Sequence, residues 1–189
     1  MTPTRHFGKH LGKYFGFALA LVALTASGCS EDAASGTPDA PVDDVATCKV
    51  KGNYAALGAL TGTVGANGAG DPTLSITLDP GPPRDVFFFK LVSGAGVFAG
   101  GLKAGTFSIS GADGGFNTCG LCVNLIADIV AGQGPTKFYQ ATAGEVTLTS
   151  VTAPYTGSVK DLVFGEVTAN GTPVPGCASA IASASFSSN

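Results

Sequence analysis

The segment Cys119-Gly-Leu-Cys122 has the spacing of a redox dithiol. Such a pair needs its first thiol at a helix N-terminus, where backbone N–H groups lower the pKa. Here the pair runs into Val123-Asn-Leu-Ile-Ala-Asp-Ile129, whose apolar alternation reads as a strand. A zinc site needs four converging ligands. The other cysteines of this region, Cys48 and Cys177, are single and distant in sequence. Among the carboxylates, Asp128, Glu145, Asp161 and Glu166 are the residues that a glycosidase-type acid pair would draw on. Residues 48–189 hold eight acids and seven bases, so these four read as ordinary surface charge. Asp71 and Asp113-Gly-Gly-Phe-Asn117 sit in turn-like sequence. One or two acids fall short of the roughly six to eight oxygens that calcium takes, so they read as turn formers. Phe88, Phe116, Tyr139 and Tyr155 are candidates to face outward, with Tyr139 and Tyr155 singled out as possible ligand-facing residues. Most of the 12 Phe must fill the core, because there is no Trp to do so. No metal and no cofactor are expected.

The front of the chain has a different character. Residues 1–14 carry Arg5, Lys9 and Lys13 and no acid. Phe15–Leu24 is apolar, and small residues Thr25-Ala-Ser-Gly28 precede Cys29. A positive start, a short apolar middle and a small-residue end are the three parts of a secretory signal. The apolar run falls short of the roughly 20 residues that a membrane span needs. Residues 1–28 are therefore expected to be removed. Both histidines, His6 and His10, lie in that segment. A processed chain would hold none, which excludes Ser-His-Asp and Cys-His catalysis and His-ligated metals.

Ala26-Ser27-Gly28-Cys29 resembles a bacterial lipobox, with Ala26 where Leu is usual and Leu24 two places further back. The resemblance implies cleavage before Cys29 and a diacylglyceryl group on its sulfur. The alternative is ordinary signal cleavage and a soluble product. Each buried CH₂ contributes ~0.8 kcal/mol, so two or three acyl chains would hold the protein on a membrane durably. Ser30 in place of Asp favours the outer membrane by the enteric sorting rule. Residues 29–47 then read as the lipidated cysteine and an acidic tether. Residues 30–47 contain five acids, two Pro and no base. Too little apolar surface is present there to offset the entropy of ordering. A flexible chain of that length reaches about 20–25 Å.

With Cys29 assigned to lipid, Cys48, Cys119, Cys122 and Cys177 form an even set in an exported chain, which reads as two disulfides. Three connectivities are open. The favoured one clips Cys119 to Cys122 and joins the two ends of the domain through Cys48–Cys177.

These residues must be positioned by strands. High Gly (28 residues) with few Lys and Glu argues against a helical bundle. Thr73–Leu78, Thr106–Ser110 and Glu145–Thr149 alternate with a period of two, and Val86–Val92 is apolar on both faces. Leu60–Val64, Lys137–Ala143, Ser158–Phe164 and Ala178–Phe186 are further candidates, the last Ala/Ser-rich and open to a weakly helical reading. Turn signals separate them at Asp79–Pro83, Ser93–Gly96, Ala112–Gly115, Gly132–Pro135 and Pro173–Gly176. Together with Val123–Ile129 this gives about nine strands. The expected fold of residues 48–189 is an all-β antiparallel sandwich, jelly-roll-like or Ig-like.

Asp85-Val-Phe-Phe-Phe, Gly105-Thr-Phe-Ser-Ile-Ser-Gly, Thr118-Cys-Gly-Leu-Cys-Val and Gly144-Glu-Val-Thr-Leu-Thr before a final Cys together resemble exported lipoproteins of the myxobacterial and deltaproteobacterial type. The resemblance rests on turn glycines, strands and cysteines, so it implies localisation and fold and carries over no catalytic residue. The expected function is a lipid-anchored, non-enzymatic envelope module that binds at a surface. Its expected partners are the membrane and a glycan or an envelope protein. The alternative is a polysaccharide-binding domain or a carboxylate-dependent glycan hydrolase. Without a basic excess, nucleic acid is not an expected partner.

Overall fold

The computed structural model describes residues 45–79 and 83–189. Residues 1–44, with the expected signal, Cys29 and most of the tether, lie outside the described residues. The final tether residues join one helical turn, Val45–Cys48.

Among the described residues eight strands follow: β1 (Ala56–Ala66), β2 (Pro72–Asp79), β3 (Arg84–Leu91), β4 (Gly105–Ser108), β5 (Leu121–Ile129), β6 (Lys137–Ser150), β7 (Thr156–Val167) and β8 (Pro173–Ser188). Their order is β4-β6-β5-β3-β2-β1-β8-β7, and β7 pairs back onto β6. Seven strands therefore close into a barrel, and β4 lies against the second half of β6 beyond the end of β5. Neighbours are antiparallel except β1 and β8, which run parallel.

The all-β expectation holds, whereas the sandwich is replaced by a closed barrel. Strand patterns and turn spacing are the same in both architectures. The difference lies in which distant strands meet. Pairs such as Leu60 with Phe186 and Tyr139 with Glu166 close the ring, and no local pattern announces them.

Two expected strands, 137–143 and 145–149, are one strand that bends at Gly144. That residue has φ +114, and a Cβ on it would stand 2.6 Å from the Asp161 carbonyl oxygen. Register shifts on both sides of Ala143 mark the bend. Bulges of this kind increase local twist and let a long ribbon turn a barrel corner. The expected turn at Pro173–Gly176 is instead the start of β8. β1 joins β8 only from Ser183 onward, so the two prolines occupy a stretch that owes no ladder bond on that side. The Ala/Ser-rich segment 178–186 is strand, as its Ala-Ser-Phe-Ser ending suggested.

Alternation places Phe87, Phe89, Leu125, Tyr139, Phe164 and Ile181 inside the barrel, each buried. Phe87 meets Phe89 at 4.5 Å and Phe164 edge-on at 6.2 Å between ring centroids. Such contacts add about 0.5–1.5 kcal/mol each beyond area burial. β5 is buried on both faces from Leu121 to Leu125, because the segments on either side of β4, residues 92–104 and 109–120, fold over its outer side as a strap. Cys119–Cys122 ties the strap to β5, and Cys48–Cys177 ties the first turn to β8.

Candidate functional site

One end of the barrel is closed by residues 45–55. The Tyr54 N–H donates to the Ala180 carbonyl and the Ala182 N–H to the Ala55 carbonyl, both at 2.9 Å. The Ser179 hydroxyl donates to the Lys51 carbonyl at 2.6 Å. Val50 and Tyr54 are buried in this closure, and Cys48–Cys177 fastens it.

Polar side chains from the ends of β3, β5, β6 and β7 gather there with Lys49 and Tyr54 of the closure. The Tyr54 hydroxyl donates to Asp85 Oδ2 at 2.7 Å, and the Asp128 N–H donates to Asp85 Oδ1 at 3.2 Å. The Lys137 ammonium donates to Glu166 Oε2 at 2.7 Å and also faces Cys177 Sγ at 3.9 Å. Lys49 Nζ lies 4.0 Å from Asp128 Oδ2. The Tyr139 hydroxyl donates to the Cys48 carbonyl. Burial first, then the Glu166 and Asp85 carboxylates, push the Tyr139 phenol well above its ordinary pKa, so it stays protonated. Beside this cluster opens a cleft of about 450 Å³ lined by Lys137, Glu166, Cys48, Cys177, Thr47 and Pro175.

The sequence candidates separate in space. Tyr139 is fully buried and holds the closure in place, so it is corrected from ligand-facing to structural. Its i+2 partners Ala141 and Lys137 face the same side, and the alternation that makes β6 a strand turns this ring inward. Tyr155 is half-buried at the opposite mouth, beside a shallow apolar dimple with Leu74, Phe89, Leu148 and Phe186. Phe88 is half-buried on the outer face opposite Asn124 in register, and Phe116 packs over Gly171. Asp128 and Glu166 belong to the closed end, each beside a lysine. Glu145 pairs in register with Lys160 on the outer face, and the Asp161 side chain is 73% exposed.

The turn residues act as turn residues. Asn67 Oδ1 accepts from the Ala69 and Asp71 N–H groups, and its Nδ2 donates to Asp71 Oδ2. Asp113 is buried and organises the strap. Its Oδ1 accepts from Gly120 and Leu121 N–H at 2.8 and 2.9 Å, and Oδ2 from Val97 N–H at 3.1 Å. Among the described residues, no group of three or more His, Cys, Asp or Glu has metal-binding geometry.

Sequence reasoning passed over Lys137, Tyr54 and Asp85. Asp85 had a readable signal, as a charge opening the apolar run Val86–Phe89. Lys137 had none, because its partner Glu166 comes from another strand.

The outer face of β4, β6, β7 and β8 carries hydroxyls in cross-strand rows. Thr106 and Thr147 touch at 2.9 Å, and Thr149 and Thr156 at 2.7 Å. Ser158 lies between Thr147 and Ser185 in register. No family model, no curated protein and no solved structure matches the chain.

Proposed function

We propose that the protein is a lipid-anchored cell-envelope protein, most fittingly of the outer membrane, whose barrel is a non-enzymatic surface or binding module. The observation that carries this reading is the order of parts at the front. Arg5, Lys9 and Lys13, the apolar run to Leu24 and small residues lead directly to Cys29. Residues 1–28 would be cleaved and Cys29 acylated.

The barrel supports the module part of the reading. Its interior is packed with side chains, and its outer face presents neutral Ser and Thr. Glu166, Asp128 and Asp85 are each engaged by a partner at the closed end. They therefore act as structural charges in this reading and not as a hydrolytic acid pair. A glycan-binding variant of it keeps Tyr155, whose half-buried ring borders Thr73 and the apolar dimple, and drops Tyr139.

Expression in a lipoprotein-processing host tests the anchor. Intact mass is expected to show loss of residues 1–28 and gain of acyl chains, and Cys29→Ser is expected in the soluble fraction. A Cys29→Ser protein that stays in the membrane would overturn the reading. Glycan-array binding by the wild type that Tyr155→Ala abolishes would establish the glycan variant.

A further inference from the structure

Both disulfides are largely buried, but they differ in what borders them: Cys48 and Cys177, at 7% and 9% exposure, line an open cleft. Cys119–Cys122 has the spacing of a redox motif, yet it lies where the strap joins β5, at 4% and 1% exposure and lining none of the clefts described. Cys48–Cys177 joins residues 129 positions apart. Both of its cysteines line the 450 Å³ cleft at the closed end. The Lys137 ammonium faces Cys177 Sγ at 3.9 Å.

We propose that Cys48–Cys177 is a thiol–disulfide exchange site, in which an external dithiol attacks Cys48 and Cys177 leaves as a thiolate beside Lys137. Exchange runs faster when the departing sulfur is the better-stabilised thiolate, and it requires access to the sulfur attacked. Both cysteines line the cleft, which is the route of approach, and the Lys137 ammonium faces Cys177 Sγ. That placement selects the direction of attack.

A thiolate of the dithiol forms a bond to Cys48 Sγ. The Cys48–Cys177 bond breaks, and its electron pair remains on Cys177 Sγ, where the Lys137 ammonium faces it. The second thiol of the reductant, as thiolate, attacks its own sulfur in the mixed disulfide and releases Cys48 as a thiolate. The dithiol is oxidised to a disulfide, and the protein's cystine is reduced to two thiols. Glu166 competes with the new thiolate for Lys137, which it holds at 2.7 Å in the oxidised protein.

The consequence is local. Reduction unties residues 45–55, whose remaining hold on the barrel includes the Tyr54, Ala55 and Lys51 main-chain bonds and the Tyr139 bond to Cys48. The reactive disulfide is therefore the one that governs the barrel's closed end, and the CxxC pair is its inert companion.

The test uses the full chain with Cys29→Ser, which removes the one other thiol. Brief treatment with glutathione under native conditions is expected to place the adduct on Cys48. Dithiothreitol followed by alkylation is expected to label Cys48 and Cys177 well before Cys119 and Cys122. Lys137→Gln is expected to slow opening several-fold, and Glu166→Gln to accelerate it. Denaturant midpoints of both variants, with circular dichroism, establish that they are folded. Glutathione on Cys177, earlier labelling of Cys119–Cys122, simultaneous labelling of all four, or an unchanged rate in folded Lys137→Gln would each overturn the proposal. None of these outcomes depends on whether Cys29 carries lipid.

Discussion

The Tyr139 hydroxyl, fully inside the barrel, donates its proton to the main-chain carbonyl of Cys48, the residue at which the N-terminal closure is fastened. A ring from β6 thus holds the segment where the described residues begin. This bond links the packing of the core to the seal at one end.

Tyr139→Phe removes that hydroxyl and keeps the ring. The expected loss is about 1 kcal/mol at neutral pH, read from urea unfolding. The alkaline limb should change as well. An unfolded tyrosine ionises near pH 10, whereas the buried Tyr139 phenol keeps its proton to higher pH. Its contribution is therefore complete below about pH 10 and is lost as pH rises beyond that. The Phe variant should show a shallower alkaline decline, and an identical decline would assign the effect to other groups.

Asp113→Ala leaves the Val97, Gly120 and Leu121 N–H groups without their carboxylate acceptor. Each stranded buried donor costs about 1–3 kcal/mol, so a loss of at least about 3 kcal/mol is expected. Hydrogen exchange should accelerate first at Gly120 and Leu121. Asp113→Asn, which retains one acceptor oxygen, should fall between Ala and wild type.

Gly144 and Gly165 make a paired test of the β6–β7 bend. Alanine at Gly144 meets φ +114 and the Asp161 carbonyl oxygen at 2.6 Å, whereas at Gly165 the nearest atom is 3.9 Å away. The expected cost is above about 2 kcal/mol at Gly144 and within about 0.5 kcal/mol of zero at Gly165. Thermal or urea midpoints decide the order, and equal effects would refute the role given to the bend.

Lys137 and Glu166 form a half-buried pair, with side chains 23% and 12% exposed. Removing either partner leaves a charge poorly solvated, with an expected loss of about 1–2 kcal/mol after allowance for solvent screening. The double change Lys137→Met with Glu166→Leu should recover much of that loss. A double-mutant cycle at two salt concentrations measures the coupling.

The strands themselves were readable from the chain because side-chain alternation is a local property. Leu74, Ile76 and Phe107 faced the core as their spacing required. The favoured cysteine pairing is the one formed. Tyr139 was misassigned because a tyrosine in an alternating segment gives no sign of which face is inner. The count of nine strands failed at Gly144, where a glycine between two strand patterns marked a bend within one strand and not a turn between two.

The sequence by itself determined where the strand segments lie, most of the turns between them and the composition that argues against a helical bundle. Those properties follow from neighbours two to four positions apart. Tertiary structure alone decided that the sheet closes on itself through β1–β8 and β6–β7, that Lys137 stands beside Cys177, and that the CxxC pair is buried where the strap joins β5. Each of these depends on residues from separate elements meeting in space. Their chemistry is set by distances and burial that arise only when the whole ring of strands has formed.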